Sequence, residues 1–408
     1  MSEPRPFLGQ FAWVSAGRII AALLQALSLI LIARNLDPAE FGLLSAVLGL
    51  ATVVQTGIDM GVSTFTTRER AANPTSGAVA TALRFNTISS IVLTLIALGA
   101  LAVAGAGLSP VYFLMLPLAF WVSGERNADT RLTVAFADGD AKINVFNLLA
   151  RRALAIVLFL ALLALRVEPV LAYCTSVAVA ALGSSFFANR YVKRHVTVPS
   201  SITYRELLRQ SWPYWLHSVA TQARNLDVIV TSAIAGAAQA GFYSAASRLT
   251  SPLRILPTSL STVLLPAASR ASANSHSIRP LVKAVLVVVG IMTVLYAILF
   301  VLMPWLVPFA LGSAYEPAVP VIQIVLVGLP FAAAVSLIAS LLQGQGHKHL
   351  VATTSTITTV SCLIGVGIGA LVAGALGAAV ALAASFVLQC AILTTSFFIF
   401  NRRTRRQA

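Results

Sequence analysis

Eleven charged side chains sit inside otherwise apolar stretches of the chain. They are Arg18, Arg84, Arg126, Arg131, Arg224, Arg248 and Arg254 against Asp59, Glu125, Asp129 and Asp227. An ionised group at the centre of a bilayer costs roughly 2.5–3.5 kcal/mol on the insertion scale, so each needs a partner or a task. Guanidinium groups donate paired, charge-assisted hydrogen bonds to phosphate and carboxylate oxygens, which makes the arginines candidate anion-binding groups. Carboxylates held in the same surroundings are candidate sites for a cation or a proton. Seven arginines against four acids leave a surplus of positive charge, whereas a purely structural set of ion pairs would be closer to neutral. No nucleophile–base pair or glycine-rich nucleotide loop stands out, and no metal or cofactor is expected. His347-Lys348-His349 offers only two histidines and reads as a solvated loop. Cys174, Cys362 and Cys390 are far apart in apolar segments and read as small hydrophobes.

The elements that carry these charges follow from composition. Of 408 residues 58% are hydrophobic and 10% charged, and the mean hydropathy is +0.87. A soluble domain carries roughly 25% charged residues. A bilayer core about 30 Å thick needs about 20 apolar residues of helix to cross it. Twelve stretches are long enough: 11–33, 42–65, 82–105, 110–137, 144–165, 168–191, 211–235, 240–268, 281–308, 318–343, 350–373 and 375–400. They predict an all-α integral membrane protein with little chain left for a soluble domain. Short turns such as Asn35-Leu36-Asp37-Pro38 and Ala373-Gly374 separate several of them. The first stretch is too long for a signal-peptide core and reads as an uncleaved helix.

The net charge of +15 is distributed by topology. With the N-terminus inside, 19 of the 28 Lys and Arg residues fall in inner segments, Arg151, Arg152, Arg190, Lys193, Arg194 and the tail Arg402 and Arg403 among them. Only Arg34 and Arg166 fall in outer loops. This asymmetry predicts cytoplasmic termini by the positive-inside rule. Topology and contact with anionic membrane lipids account for the loop charge, so nucleic acid is excluded as a partner.

The longest polar stretch, 192–210, divides the chain into an N-terminal six-helix lobe (1–191) and a C-terminal one (211–400), with a basic tail at 401–408. A shift of 199 positions places Ala39, Gly42, Ser45 and Ala46 on Ala238, Gly241, Ser244 and Ala245, and Trp13 on Trp212. A six-helix shift preserves orientation, so the halves are expected to be parallel repeats, pseudo-symmetric lobes around a central cleft.

Several motifs carry a resemblance. Leu36-Asp37-Pro38-Ala39-Glu40-Phe41-Gly42 is followed by Asp59-Met60-Gly61. The second half opens with Asp227, then Gly241-Phe242-Tyr243-Ser244-Ala245-Ala246-Ser247-Arg248-Leu249 and Leu265-Pro266. Gly312-Ser313-Ala314-Tyr315, Gly344-Gln345-Gly346 and Gly374-Ala375-Leu376-Gly377 complete the order. Together they resemble the bacterial flippases of O-antigen, capsule and exopolysaccharide units, in the superfamily that also holds the multidrug and toxin extrusion (MATE) transporters. The resemblance implies a MATE-like fold of two lobes around a cleft lined by helices 1, 2, 7 and 8. It also implies alternating access and translocation of an oligosaccharide linked to a polyprenyl diphosphate, from inner to outer leaflet. H+ or Na+ coupling is a further expectation. Peptidoglycan-precursor flippases of the superfamily typically have fourteen helices, which disfavours that cargo.

Each embedded charge has a bland reading beside the functional one. Arg84 and Arg18 lie near inner helix ends, where long side chains snorkel to the interface. Asp59 either serves ion binding or bonds local backbone or Arg68. Arg224 and Asp227, three apart near the middle of helix 7, share a face and either neutralise each other or divide into a substrate contact and a coupling-ion site. Arg248 and Arg254 share their helix with no acid, but six positions turn it by about 240°, so they face different ways. Pro252 and Pro257 interrupt the same helix. These two arginines are the favoured diphosphate contacts, with Arg18, Arg224, Arg126 and Arg131 as further substrate candidates. Glu125 and Asp129 lie on one face, a repulsive arrangement unless Arg126, Arg131 or a partner helix intervenes. Either they join a network lining the first-half cavity, or helix 4 ends at Ser123-Gly124 and they are cytoplasmic. Asp227, Glu125, Asp129 and Asp59 are the coupling-ion candidates.

Two other functions compete. A membrane-embedded polysaccharide polymerase or ligase usually needs a large outer loop, and here the predicted outer loops are a few residues long. A MATE-like exporter of cationic molecules would be favoured by an excess of embedded acids, the opposite of the charge found.

Overall fold

A computed structural model of the chain describes residues 7–407 apart from 255, 256, 259, 262, 263, 265–267 and 269–277. The motif Leu265-Pro266 and the side chains of Arg18 and of the basic tail lie outside the described residues. Every regular element among the described residues is helical. In chain order these are α1 (Phe7–Arg34), α2 (Pro38–Asp59), α3 (Val62–Ala72), α4 (Gly77–Gly107), the short α5 (Val111–Leu114), α6 (Leu118–Ala137), α7 (Ala141–Ala164), α8 (Pro169–His195) and α9 (Tyr204–Gln222). After a 3-10 turn, Ala223–Leu226, come α10 (Asp227–Ala235) and α11 (Ala237–Thr250). A second 3-10 turn, Ser251–Arg254, follows, and then α12 (Arg279–Leu311), α13 (Ala318–Gly344) and α14 (Lys348–Gln407).

Seven helices among the described residues are long and apolar enough to cross a bilayer, one of them the 52-residue run His349–Phe400. That run leaves helical geometry at Ala373 and Gly374, where a turn separates the last two expected spans. Large apolar side chains stand exposed along these helices, among them Leu95 at 64%, Phe186 at 73% and Val372 at 80%. Such a surface suits the apolar interior of a bilayer.

Several expected spans are broken, the eighth by the 3-10 turn Ser251–Arg254 among them. The second, expected over 42–65, stops at Asp59 and restarts at Val62, because Met60 and Gly61 have φ of 53° and 75°. Glycine tolerates this left-handed geometry freely, and Met60 adopts it beside it. The seventh, expected over 211–235, begins at Tyr204 and is interrupted at Ala223–Leu226. The fourth starts with the turn around Pro117 and then continues to Ala137, without ending at Ser123-Gly124.

Helix ends follow local chemistry. Glu168 caps α8, its carboxylate accepting from the N–H groups of Val170 and Leu171 at 3.1 and 2.8 Å. Pro169 takes the first helical position, and Lys193, Arg194 and His195 close the last turn, where cations favour the helix dipole. Thr203 caps α9 by accepting from the Glu206 N–H at 3.3 Å.

The chain packs as two compact units. Unit 1 comprises residues 1–36 and 47–225, and unit 2 residues 37–46 and 226–408. In unit 1, α6 lies against α8 and α4, α7 against α8 and α1, and α3 against α6 and α9. Residues 199–202 strap across the start of α4: the Thr81 hydroxyl donates to the Ile202 carbonyl at 3.3 Å, and Arg84 to the Ser200 hydroxyl at 3.4 Å. In unit 2, α13 lies against α12 and α14, α10 against α11 and α14, and α11 against α13. The first turns of α2 belong to this unit. Phe41 meets the Tyr315 ring edge-on at 6.0 Å, with Phe242 at 6.5 Å. Burial pushes the Tyr315 hydroxyl above its usual range, and Asp37 and Glu40 add to the shift.

Candidate functional site

The six residues from Glu125 to Thr130, with Arg131, lie wholly within α6, so they form stripes along one continuous helix that does not end at Ser123-Gly124. Residues four apart share a face of a helix, which gives α6 three polar stripes with three different neighbours.

The first stripe is Glu125 with Asp129, facing α7. Arg151 Nη2 stands 3.4 Å from Glu125 Oε1 and 2.9 Å from Asp129 Oδ1, and Arg152 Nη2 lies 3.0 Å from Glu125 Oε1. These two arginines, expected in an inner loop, belong to a helix that is itself a candidate span. They are the partner-helix groups that hold two like charges on one face. Glu125 and Arg151 are buried, whereas Asp129 keeps its edge exposed.

The second stripe, Arg126 with Thr130, faces the break between α2 and α3. Breaking a helix frees carbonyls that cannot stay unpaired away from water. Here the Gly57 carbonyl accepts from Trp215 Nε1 at 2.8 Å, and the Ile58 carbonyl from Arg126 Nη2 at 3.2 Å. Arg126, 2% exposed, also donates to Ser90 Oγ at 3.1 Å and stands 3.9 Å from Asp59. Asp59 in turn accepts from the Ser63 hydroxyl at 2.7 Å and from its N–H at 3.3 Å, and the Ser63 hydroxyl pairs with Thr130 at 2.8 Å. Asp59 therefore opens α3 and holds Arg126.

The third stripe is Asn127 with Arg131, facing α4 and α8. Asn127 accepts from Asn86 Nδ2 at 2.9 Å. Arg131 donates to Thr87 Oγ1 at 3.0 Å and to Ser185 Oγ at 3.2 Å.

Unit 2 holds Asp227, Arg248 and Arg254, whereas Arg18 and Arg224 belong to unit 1. Asp227 is the first residue of α10 and is buried; its carboxylate accepts from the Tyr243 hydroxyl at 2.8 Å and from the Val228 N–H at 2.7 Å. Arg224 stands in the 3-10 turn before it, so the two do not occupy one continuous helix as expected. Arg248 ends α11 and donates to the Ser45 carbonyl at 2.7 Å. Arg254 ends the next 3-10 turn and lies 5.3 Å over the Phe386 ring, a cation–π contact. Arg18 belongs to α1, with its side chain outside the described residues. Tyr243 is the residue that sequence reasoning missed in this unit. It stands sixteen positions from Asp227, and no local pattern points to it. No group of three or more metal-ligating side chains occurs among the described residues.

The family profile described as "Polysaccharide biosynthesis protein" matches residues 31–320. The chain belongs to this polysaccharide biosynthesis family. No curated protein sequence matches it. Among solved structures, a multidrug-resistance MATE family transporter of the MOP superfamily, in an inward-facing conformation, superposes with a TM-score of 0.77 at 14% identity, covering 95% of this chain and 96% of that one. The lipid II flippase MurJ superposes with a TM-score of 0.71 at 16% identity, covering 94% and 87%. A MOP superfamily transporter from Pyrococcus furiosus gives 0.64 at 15%, covering 97% and 95%. This member of the polysaccharide biosynthesis family therefore has the all-helical, multi-pass membrane fold of those transporters.

Proposed function

We propose that the chain is a flippase that moves polyprenyl-diphosphate-linked glycan units from the inner to the outer leaflet of the bacterial cytoplasmic membrane by alternating access, and not an enzyme. Membership of the polysaccharide biosynthesis family over residues 31–320 carries this reading. A neighbour in fold named as a lipid II flippase supports a lipid-linked cargo. The MATE neighbour keeps a small-molecule exporter as the second reading. The charge of the embedded set favours the anionic cargo over a cationic one.

Both termini are proposed to be cytoplasmic, on the distribution of Lys and Arg. Arg248 and Arg254 are the proposed diphosphate contacts, and Arg18 and Arg224 are further proposed substrate residues. Two six-helix repeats, joined near 192–210, are the proposed moving parts.

Asp227 is the proposed coupling site for H+ or Na+. Its partner Tyr243 carries a hydroxyl that both donates and accepts, so the pair stays hydrogen-bonded whether or not the carboxyl is protonated. Glu125, Asp129 and Asp59 are proposed to serve packing, because arginines on neighbouring elements hold them.

A depletion strain tests the function. Loss of surface polysaccharide, with complete unpolymerised units trapped in the cytoplasmic leaflet, is expected. Units that still reach the outer leaflet would replace the flippase reading with a role in polymerisation or unrelated export.

A further inference from the structure

Four guanidinium groups on α6 and α7, those of Arg126, Arg131, Arg151 and Arg152, meet three carboxylates, those of Asp59, Glu125 and Asp129. Arg126 pairs with Asp59, and Arg151 and Arg152 with the other two. Arg131 is the surplus: among the described residues no carboxylate lies within 4.0 Å of it. Thr87 and Ser185 hold it through neutral hydroxyls, which orient the group without balancing its charge.

Its position shows what surrounds it. α6 is largely buried against α4 and α8, and Arg131 emerges between these two helices to reach one hydroxyl on each. On α4, Thr87 borders a stripe of exposed Ile88, Ile91 and Leu95; on α8, Ser185 borders exposed Leu182 and Phe186. About 9 Å of helix, at 1.5 Å per residue, separate Arg131 from the end of α6 at Ala137. The exposed Arg84 lies one turn before Thr87, and Lys193 and Arg194 close α8 on the same side. A lone cation opens here onto an exposed apolar surface, one to two turns beneath a basic rim. Such a cation draws an anion from the interface or snorkels toward it.

We propose that the groove between α4 and α8 over Arg131 binds the phosphate of an anionic glycerophospholipid, with its acyl chains along Ile88, Ile91 and Leu95 and Arg84 at the rim. A single guanidinium steadied by two hydroxyls suits one phosphate group better than a diphosphate. The site is separate from the cargo contacts proposed above, and only the leaflet it faces rests on the proposed orientation.

The full-length protein in detergent, titrated with phosphatidylglycerol or phosphatidylcholine, tests this by native mass spectrometry and thermal unfolding. The unsubstituted protein is expected to retain one phosphatidylglycerol at least tenfold more tightly than phosphatidylcholine. Arg131→Gln is expected to abolish that preference and Arg131→Lys to keep most of it. An unchanged preference in Arg131→Gln overturns the proposal, as does equal retention of the two lipids. Displacement of phosphatidylglycerol by farnesyl diphosphate also overturns it, and assigns the groove to the diphosphate cargo. If Arg131→Gln does not fold, Leu182→Trp, read as the difference from the unsubstituted protein with its five native tryptophans, provides an independent reading. Stronger quenching by brominated phosphatidylglycerol than by brominated phosphatidylcholine is expected, and equal quenching overturns the site.

Discussion

Gly42 and Gly241, related by the 199-residue shift, face each other at a reciprocal contact. A Cβ on Gly42 would meet the carbonyl oxygen of Ala237 and stand 2.7 Å from the Gly241 nitrogen, and one on Gly241 would meet the carbonyl oxygen of Pro38. Pro38 and Ala237 are themselves related by the same shift, so each α-helix presents the same surface to the other, as across a two-fold axis. Small residues permit such close backbone approach between membrane helices. Gly42→Ala and Gly241→Ala are each expected to lower the unfolding temperature in detergent, and the double variant to lose less than the sum, because both report one contact. Gly99→Ala and Gly290→Ala, whose added Cβ atoms meet nothing within 4 Å, serve as controls and are expected to be neutral or stabilising by up to about 1 kcal/mol. Equal effects at all four positions would remove the special role of the pair.

The ion pairs between α6 and α7 are expected to be sensitive to loss of a single partner. Arg151→Met leaves buried Glu125 short of one partner, a loss smaller than the roughly 3–5 kcal/mol of a buried charge left with none, because Arg152 stays 3.0 Å from it. Adding Glu125→Gln is expected to restore part of that loss, because it removes the stranded charge. Thermal unfolding of the four members of the cycle measures the coupling.

Gln239 holds a backbone group at the turn of α14. Its side-chain oxygen accepts from the Ala375 N–H at 2.9 Å, at the point where the helix breaks. In Gln239→Leu that donor is left unsatisfied, with an expected cost of about 1–3 kcal/mol. Gln239→Glu keeps an acceptor at the same place and is expected to retain more stability.

Removing charge at Arg248 or Arg254 tests the cargo contacts. Arg248→Ala and Arg254→Ala together are expected to abolish polysaccharide export while protein in the membrane stays at its normal level. Normal export by the inserted double variant would reassign both residues to packing, for which the Ser45 carbonyl and the Phe386 ring already offer partners.

Asp227→Asn and Tyr243→Phe separate coupling from folding. Asn keeps one acceptor for Tyr243 but cannot titrate, so Asp227→Asn is expected to insert normally and lose dependence of transport on the proton or sodium gradient. Tyr243→Phe keeps the carboxyl and is expected to alter that dependence without removing it. Unchanged gradient dependence in Asp227→Asn would move coupling elsewhere.

The sequence by itself determined the class of structure. A bilayer obliges each spanning backbone to satisfy its own hydrogen bonds, so hydropathy and length alone predict an all-helical chain. Most expected spans lie within a few residues of the observed helices. Tertiary structure alone decided what each charge meets. The stripes of α6 follow from a local period, but the choice of Arg151 and Arg152 for Glu125 and Asp129, and of Tyr243 for Asp227, depends on which helices pack together. The breaks at Met60-Gly61 and at Ala223–Leu226 escaped a reading based on continuous apolar runs, because hydropathy is blind to backbone direction. They are sustained by distant groups, Trp215 and Arg126 at the first, that satisfy carbonyls an unbroken helix would have bonded itself. Arg131 emerges as a surplus cation for the same reason: a count of charges shows an excess of arginines, and only packing shows that Arg131 has no carboxylate beside it.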